Sequence, residues 1–137
     1  MSEITLKDLM TLEEYDDARS SFRQEVLLHK KNRVASIGPD VVLCFEDRTT
    51  ILYQIQEMLR IEWIFQRSGI QDELSAYNPL IPDGSNWKAT MMIQIPDQLV
   101  RREALVRLVG IERHCWTQIE DYGPFYAIAD QDLDRTT

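Results

Sequence analysis

The stretch from Ile51 to Phe65, ILYQIQEMLRIEWIF, constrains the fold more than any other. On a helix advancing about 100° per residue, with Ile51 at zero, Ile55 falls near ~40°, Met58 near ~340°, Leu59 near ~80° and Phe65 near ~320°. That is one broad apolar face, long enough to carry a domain core. Glu62 interrupts it, near ~20° and in the middle of the apolar stripe. A carboxylate there must be paired, protonated or liganded, because burying it alone is costly.

Composition narrows the class. A chain of 137 residues suits one domain, residues 1–137, and 44% apolar content is ordinary for a globular protein. The net charge of −8 argues against a nucleic-acid backbone or an anionic membrane as partner. Much of the acid lies at the ends, in EEYDD and DQDLD, and basic residues collect in HKKNR. No apolar run approaches the ~20 residues needed to cross a bilayer. The opening MSEITLKDLM lacks a basic-then-apolar signal layout, so the expected location is the cytoplasm. Cys44 and Cys115 stand far apart in strand-like runs and read as reduced and buried. Neither belongs to a CxxC pair, so a structural zinc is not expected.

Along the chain, residues 1–11 read as an irregular lead-in. Thr11 with Glu14 forms a capping box for a helix from about Leu12 to Lys31, whose inner face carries Tyr15, Ala18, Phe22, Val26 and His29. Arg33–Ile37 and Val41–Glu46 flank Gly38-Pro39-Asp40 as a hairpin. Asp47 or Thr49 caps a central helix reaching Ala76, with Gly69 as a kink or break. YNPLIPDGSN (77–86) is a loop, Lys88–Ile95 a third strand, and Asp97 caps a third helix to about Arg113. Cys115–Glu120 and Phe125–Ala129 make a second hairpin. The expected fold is α+β, a mostly antiparallel five-stranded sheet with three helices packed mainly on one face. The other face then shows Thr90, Met92, Gln94, Trp116, Gln118 and Glu120. It is too apolar to stand in water and too polar for a second core, which suggests a covered surface.

The segments YQIQEMLRIE (53–62), YNPLIPDG (77–84), WKAT (87–90), LVGIE (108–112) and YAIADQDL (126–133) together resemble an uncharacterised bacterial family, domain of unknown function 3501. The resemblance covers nearly the whole chain. It implies no activity and no catalytic residue. It does imply the company of rubrerythrin-like and iron–sulfur proteins, hence a metal or redox protein as a partner. It also implies a C-terminal continuation past YAIAD, able to cover the open sheet face.

Three polar groups fall on inner helix faces. With Leu99 at zero, Glu112 lies near ~220°, between Leu105 and Leu108. Glu62, Glu112 and His29 could therefore meet as a Glu-Glu-His cluster, a donor set suited to iron, manganese or zinc, or to an acid–base pair. The plainer reading is that the two acids pair with arginines, Arg19 foremost. The stripe of Tyr53, Glu57, Arg60 and Ile64 lies off the core face and reads as an exposed ion pair of little weight. In the loop, Tyr77, Asn78 and Asp83 are candidate binding residues, although its prolines are equally explained by the turn. Gly84 has no phosphate-loop context, no serine sits in a GxSxG elbow, and His114-Cys115 would point to opposite faces of a strand. The functional expectation is a cytoplasmic binding or self-associating module, forming a homo-oligomer. The alternative is a metal-binding or redox-accessory protein built on Glu62, Glu112 and His29.

Overall fold

The fold is described from a computed structural model, over residues 2–129. The first helix, α1 (Leu12–Lys30), begins as its sequence requires: Thr11 accepts from the Glu14 amide and Glu14 returns to the Thr11 amide. Acidic residues fill its first turn and His29 and Lys30 its last, matching the helix dipole. Strands β1 (Val34–Ile37), β2 (Val41–Phe45) and β3 (Ala89–Ile93) form an antiparallel sheet in the order β1-β2-β3. Helix α2 (Arg48–Ile61) starts at Asp47, whose carboxylate accepts from the Thr50 amide, and α3 (Arg67–Tyr77) follows. Ile51, Ile55 and Leu59 of α2 make the core with Ile4, Leu74 and Ile81, as the apolar stripe predicts.

The central helix is two helices, and the break lies before Gly69. Glu62 caps α2, Trp63 takes the left-handed conformation at φ 57°, and the Ile64 amide returns to the Leu59 carbonyl at 2.9 Å while the Trp63 amide reaches Arg60. This is a Schellman termination, for which glycine is the usual left-handed residue. A tryptophan gives no such signal in sequence, and so the stripe reads on past its real end. Gly69 has a different role: a Cβ there would come within 2.8 Å of Ile64 Cγ2, so the bare backbone lets α3 close on the turn. Because Trp63 is 74% exposed, removing its ring sacrifices little burial. Trp63→Gly is therefore expected to stabilise the fold by about 1 kcal/mol, read as a higher urea midpoint, since it relieves the left-handed strain.

The chain separates into two compact units, residues 1–94 and 95–137. The first holds α1, α2, α3 and the three-stranded sheet. In the second, Asp97 caps a helix, α4 (Gln98–Arg107), through the Val100 amide. Gly110, at φ 86°, stops α4 short of the expected Arg113 and leads into a single 3-10 turn, Ile111–His114. Strands β4 (Trp116–Ile119) and β5 (Tyr122–Tyr126) pair with each other and with no further strand among the described residues. The α+β class and antiparallel pairing therefore hold, but the strands form sheets of three and two, and the helices number four among the described residues. The sequence places both hairpins and cannot say that they do not join, because that is a question of non-local pairing.

Candidate functional site

The acid that meets the interior is Glu57, not Glu62. Glu62 stands exposed at the end of α2, where its charge, after burial, pushes the carboxyl of Glu73 up. Glu57 lies on the α2 face turned toward α1, with 15% of its side chain exposed. Arg19 grips it with two parallel bonds, Nε to Oε2 and Nη2 to Oε1, each 2.9 Å. Tyr15, fully buried, donates its hydroxyl to Oε2 at 2.8 Å, and Arg60 adds a longer contact at 3.4 Å. The Arg19 guanidinium, outweighing burial and helped by Tyr15, holds the Glu57 carboxyl down at about 2. Burial first, then Glu57, pushes the Tyr15 phenol up. The fork fixes how α1 lies on α2, beside an edge-to-face series of Tyr15, Phe22 and Tyr53. Nothing in it is poised to react, because every oxygen of the acid is engaged.

His29 joins a second junction. Its Nε2 lies 2.6 Å from Asp47 Oδ2, the cap of α2, and Arg33 Nη1 stands 3.5 Å from the same oxygen. Arg33 also donates to the carbonyls of Phe45 and Glu46, while Thr50 donates to Glu46, whose other oxygen accepts from Thr90 at 2.9 Å. Burial opposes ionisation of Asp47, but the Thr50 amide, His29 and Arg33 outweigh it and lower its pKa. The end of α1, the start of α2 and the end of β2 are thereby tied at one carboxylate. His29→Ala is expected to cost about 1 kcal/mol, no more because 37% of the side chain is open to screening by solvent, and urea unfolding at neutral pH checks it.

Glu112 is half-buried in the 3-10 turn of the second unit. There burial and then the Glu112 charge push the Cys115 thiol up. The expected Glu62, Glu112 and His29 cluster is corrected by these positions: Glu62 and His29 are exposed, and His29 and Arg19 are committed to Asp47 and Glu57. Among the described residues no three His, Cys, Asp or Glu side chains stand together as a metal would need. The inner face expected for α4 is also different, since Leu105 and Val109 are exposed and Ala104 is the buried residue. Both cysteines are free, Cys44 buried and Cys115 half-buried. No helix among the described residues is long and apolar enough to cross a membrane.

The loop candidates divide. Asn78 brackets Ile4 like a strand partner, accepting from its amide at 2.8 Å and donating to its carbonyl at 2.9 Å. Gln56, fully buried, does the same to Met10, accepting at 2.7 Å and donating at 3.4 Å. These two amides strap the lead-in over the core. Tyr77 packs half-buried against that core. Asp83 closes its own turn by accepting from the Ser85 amide and hydroxyl. Asn78 and Asp83 line a shallow surface cleft of about 270 Å³ with Glu3, Ile81, Asn86 and Lys88. Both side-chain groups of Asn78 and the Oδ1 of Asp83 are engaged within the chain, which leaves the cleft few groups for a ligand to use.

The second unit supplies what sequence reasoning noted only in outline. Of its described residues only Ile95 and Ala104 are buried. Leu99, Val106 and Val109 on or beside α4, and Trp116, Tyr122, Phe125 and Tyr126 in the hairpin, are all more than half exposed. Paired residues share a face, so Trp116 and Tyr126 lie on one side of the hairpin and Thr117 and Phe125 on the other. Aromatic rings thus project from both sides.

The model of the family "Protein of unknown function (DUF3501)" matches residues 3–137. The chain belongs to the DUF3501 family. It is also similar to a chain solved as a crystal structure of a novel protein of unknown function from Burkholderia pseudomallei K96243 at 1.90 Å resolution. The two share 52% identity with a TM-score of 0.93, over 98% of this chain and 69% of that one. No curated protein matches. The family resemblance read from YQIQEMLRIE, YNPLIPDG and the later segments is therefore right, and it brings a fold without an assigned reaction.

Proposed function

We propose that this DUF3501 protein is a cytoplasmic self-associating module whose contact surface lies in residues 95–129. The observation that carries the reading is the apolar surface of that unit. An isolated two-stranded hairpin is marginally stable at best in water, and monomers rarely expose apolar patches beyond a few hundred Å². Here a hairpin with rings on both sides and a helix with Leu99 and Val106 in water share one unit of 35 described residues. Burying them against protein surface supplies the stability the unit lacks. The two free cysteines and the lack of a membrane-spanning helix among the described residues fit a reducing, aqueous compartment.

Hydroxyl-radical footprinting across a protein dilution series tests the reading. Trp116, Tyr122, Phe125 and Tyr126 should be oxidised several-fold more slowly at high concentration than at low, while Trp63 and Trp87, exposed in the first unit, serve as reference rings. Oxidation of the hairpin rings at the free rate throughout the series would overturn it.

A further inference from the structure

The hairpin has one closed edge and one open edge, and the difference can be read from its hydrogen bonds. Ala127 donates its amide to the Cys115 carbonyl at 2.9 Å, in the register that pairs Trp116 with Tyr126 and Thr117 with Phe125. In an antiparallel ladder inward and outward residues alternate. Cys115 and Thr117 therefore turn their backbone groups toward β5, and Trp116 and Gln118 turn theirs away. On β5 the outward residues are Tyr126 and Pro124. A proline has no amide hydrogen to donate, so that edge is blunted against pairing. The register shift that places Gly123 and Pro124 opposite Gln118 blunts it further. The outer edge of β4 carries no such device. All four of its residues are exposed, and β4 has no second neighbour among the described residues.

We infer that two copies of this chain pair through the outer edges of β4, antiparallel and about a two-fold axis at Thr117, giving a continuous four-stranded sheet in the order β5-β4-β4-β5. The proposal rests on the self-associating reading and names its partner, geometry and register. An antiparallel pair of identical strands is self-complementary, as a two-fold interface must be. In a strand of four residues one register satisfies every outward group: Trp116 of each copy opposes Gln118 of the other, and each exchanges an amide and a carbonyl with its opposite number.

Charge agrees with that register. It places the acidic turn Glu120–Asp121 of each copy beside the Arg113–His114 stretch leading into the β4 of the other, and all four residues are exposed. The contact is complementary twice over by symmetry. Edge pairing also sets the exposed side chains of β4, Trp116 among them, beside those of the partner's β4, where cross-strand contacts add to the main-chain bonds. A four-stranded sheet also passes the size at which strands become stable with one face covered.

Two variants test the register. Thr117 faces its own copy across the axis as a non-hydrogen-bonded pair, whose Cβ atoms stand about 4.5–5.5 Å apart, close to disulfide reach. Thr117→Cys should give a covalent dimer under mild oxidation, with the 117–117 linkage identified by peptide mass spectrometry. Gln118→Pro removes an outward amide and leaves the backbone bonds between β4 and β5 intact, losing within the hairpin only the side-chain bond from Gln118 to the Glu120 carbonyl, so it should lower the mass measured by sedimentation twofold, from dimer to monomer. A dimer that persists in Gln118→Pro and gives no 117–117 linkage in Thr117→Cys overturns this pairing while leaving self-association standing. A wild-type chain that stays monomeric to high micromolar concentration, with hairpin rings oxidised at the free rate, overturns both. If Gln118→Pro fails to fold, the 117–117 linkage alone decides.

Discussion

Glu57→Ala should lower the stability of the protein by about 2–3 kcal/mol at neutral pH, measured by urea unfolding. The substitution leaves Arg19 and the buried Tyr15 hydroxyl without the acid that receives both. Breaking one side of a fully buried pair costs more, but Glu57 keeps 15% exposure and solvent screens part of the charge. Glu57→Gln, which still accepts from Tyr15, should lose about half as much. The same acid sets a pH dependence. Its pKa is lower in the folded chain, about 2 against the ordinary 4.5. The stability it contributes is therefore complete above the ordinary value and drains as the pH falls from there toward 2. Asp47, also lowered, adds to the same slope with the same sign. Unfolding free energy followed from pH 6 to 2 should fall more gently in Glu57→Gln than in the wild type. Parallel slopes would show that the fork is not what the acid limb measures.

Gln56→Leu should be of similar severity, about 2–3 kcal/mol. The leucine fits a site of zero exposure, yet it abandons the Met10 amide and carbonyl at once, and orphaned backbone groups are costly where water cannot reach them. The local signature is as telling as the global loss. Backbone amides of residues 4–10 should exchange with deuterium faster in the variant, while those of β2, held on both sides by strands, should keep their protection. Uniform loss of protection would mean that the strap is inseparable from the core.

The legible parts of the sequence are those written in local chemistry. The Thr11–Glu14 box sets the start of α1, Asp47 and Asp97 cap the helices assigned to them, and Gly-Pro-Asp lies at the turn of the first hairpin, whereas the second turns earlier than expected, at Glu120–Asp121, with Tyr122, Gly123 and Pro124 already in β5. Apolar periodicity also finds the correct face of α2, because Ile51, Ile55 and Leu59 bury themselves. It misses the second buried face of that helix. Glu57 lies on the side away from the stripe, and α1 covers that side with a tyrosine and an arginine instead of an apolar surface. A polar interface leaves no hydrophobic period to detect. The expectation that an inward acid would be neutralised by Arg19 is right in its physics and displaced by five residues, because Trp63 ends α2 without the glycine that would have announced it.

The two amide brackets on the lead-in join positions 74 and 46 residues apart. During synthesis Ile4 leaves the ribosome long before Asn78 exists, so the first apolar residue of the core must wait in solvent until more than half of the chain has emerged. The lead-in is then a latch whose second catch cannot close before Asn78 is made. A nascent chain stalled before residue 78 would present Ile4 and Leu9 to any chaperone able to read them.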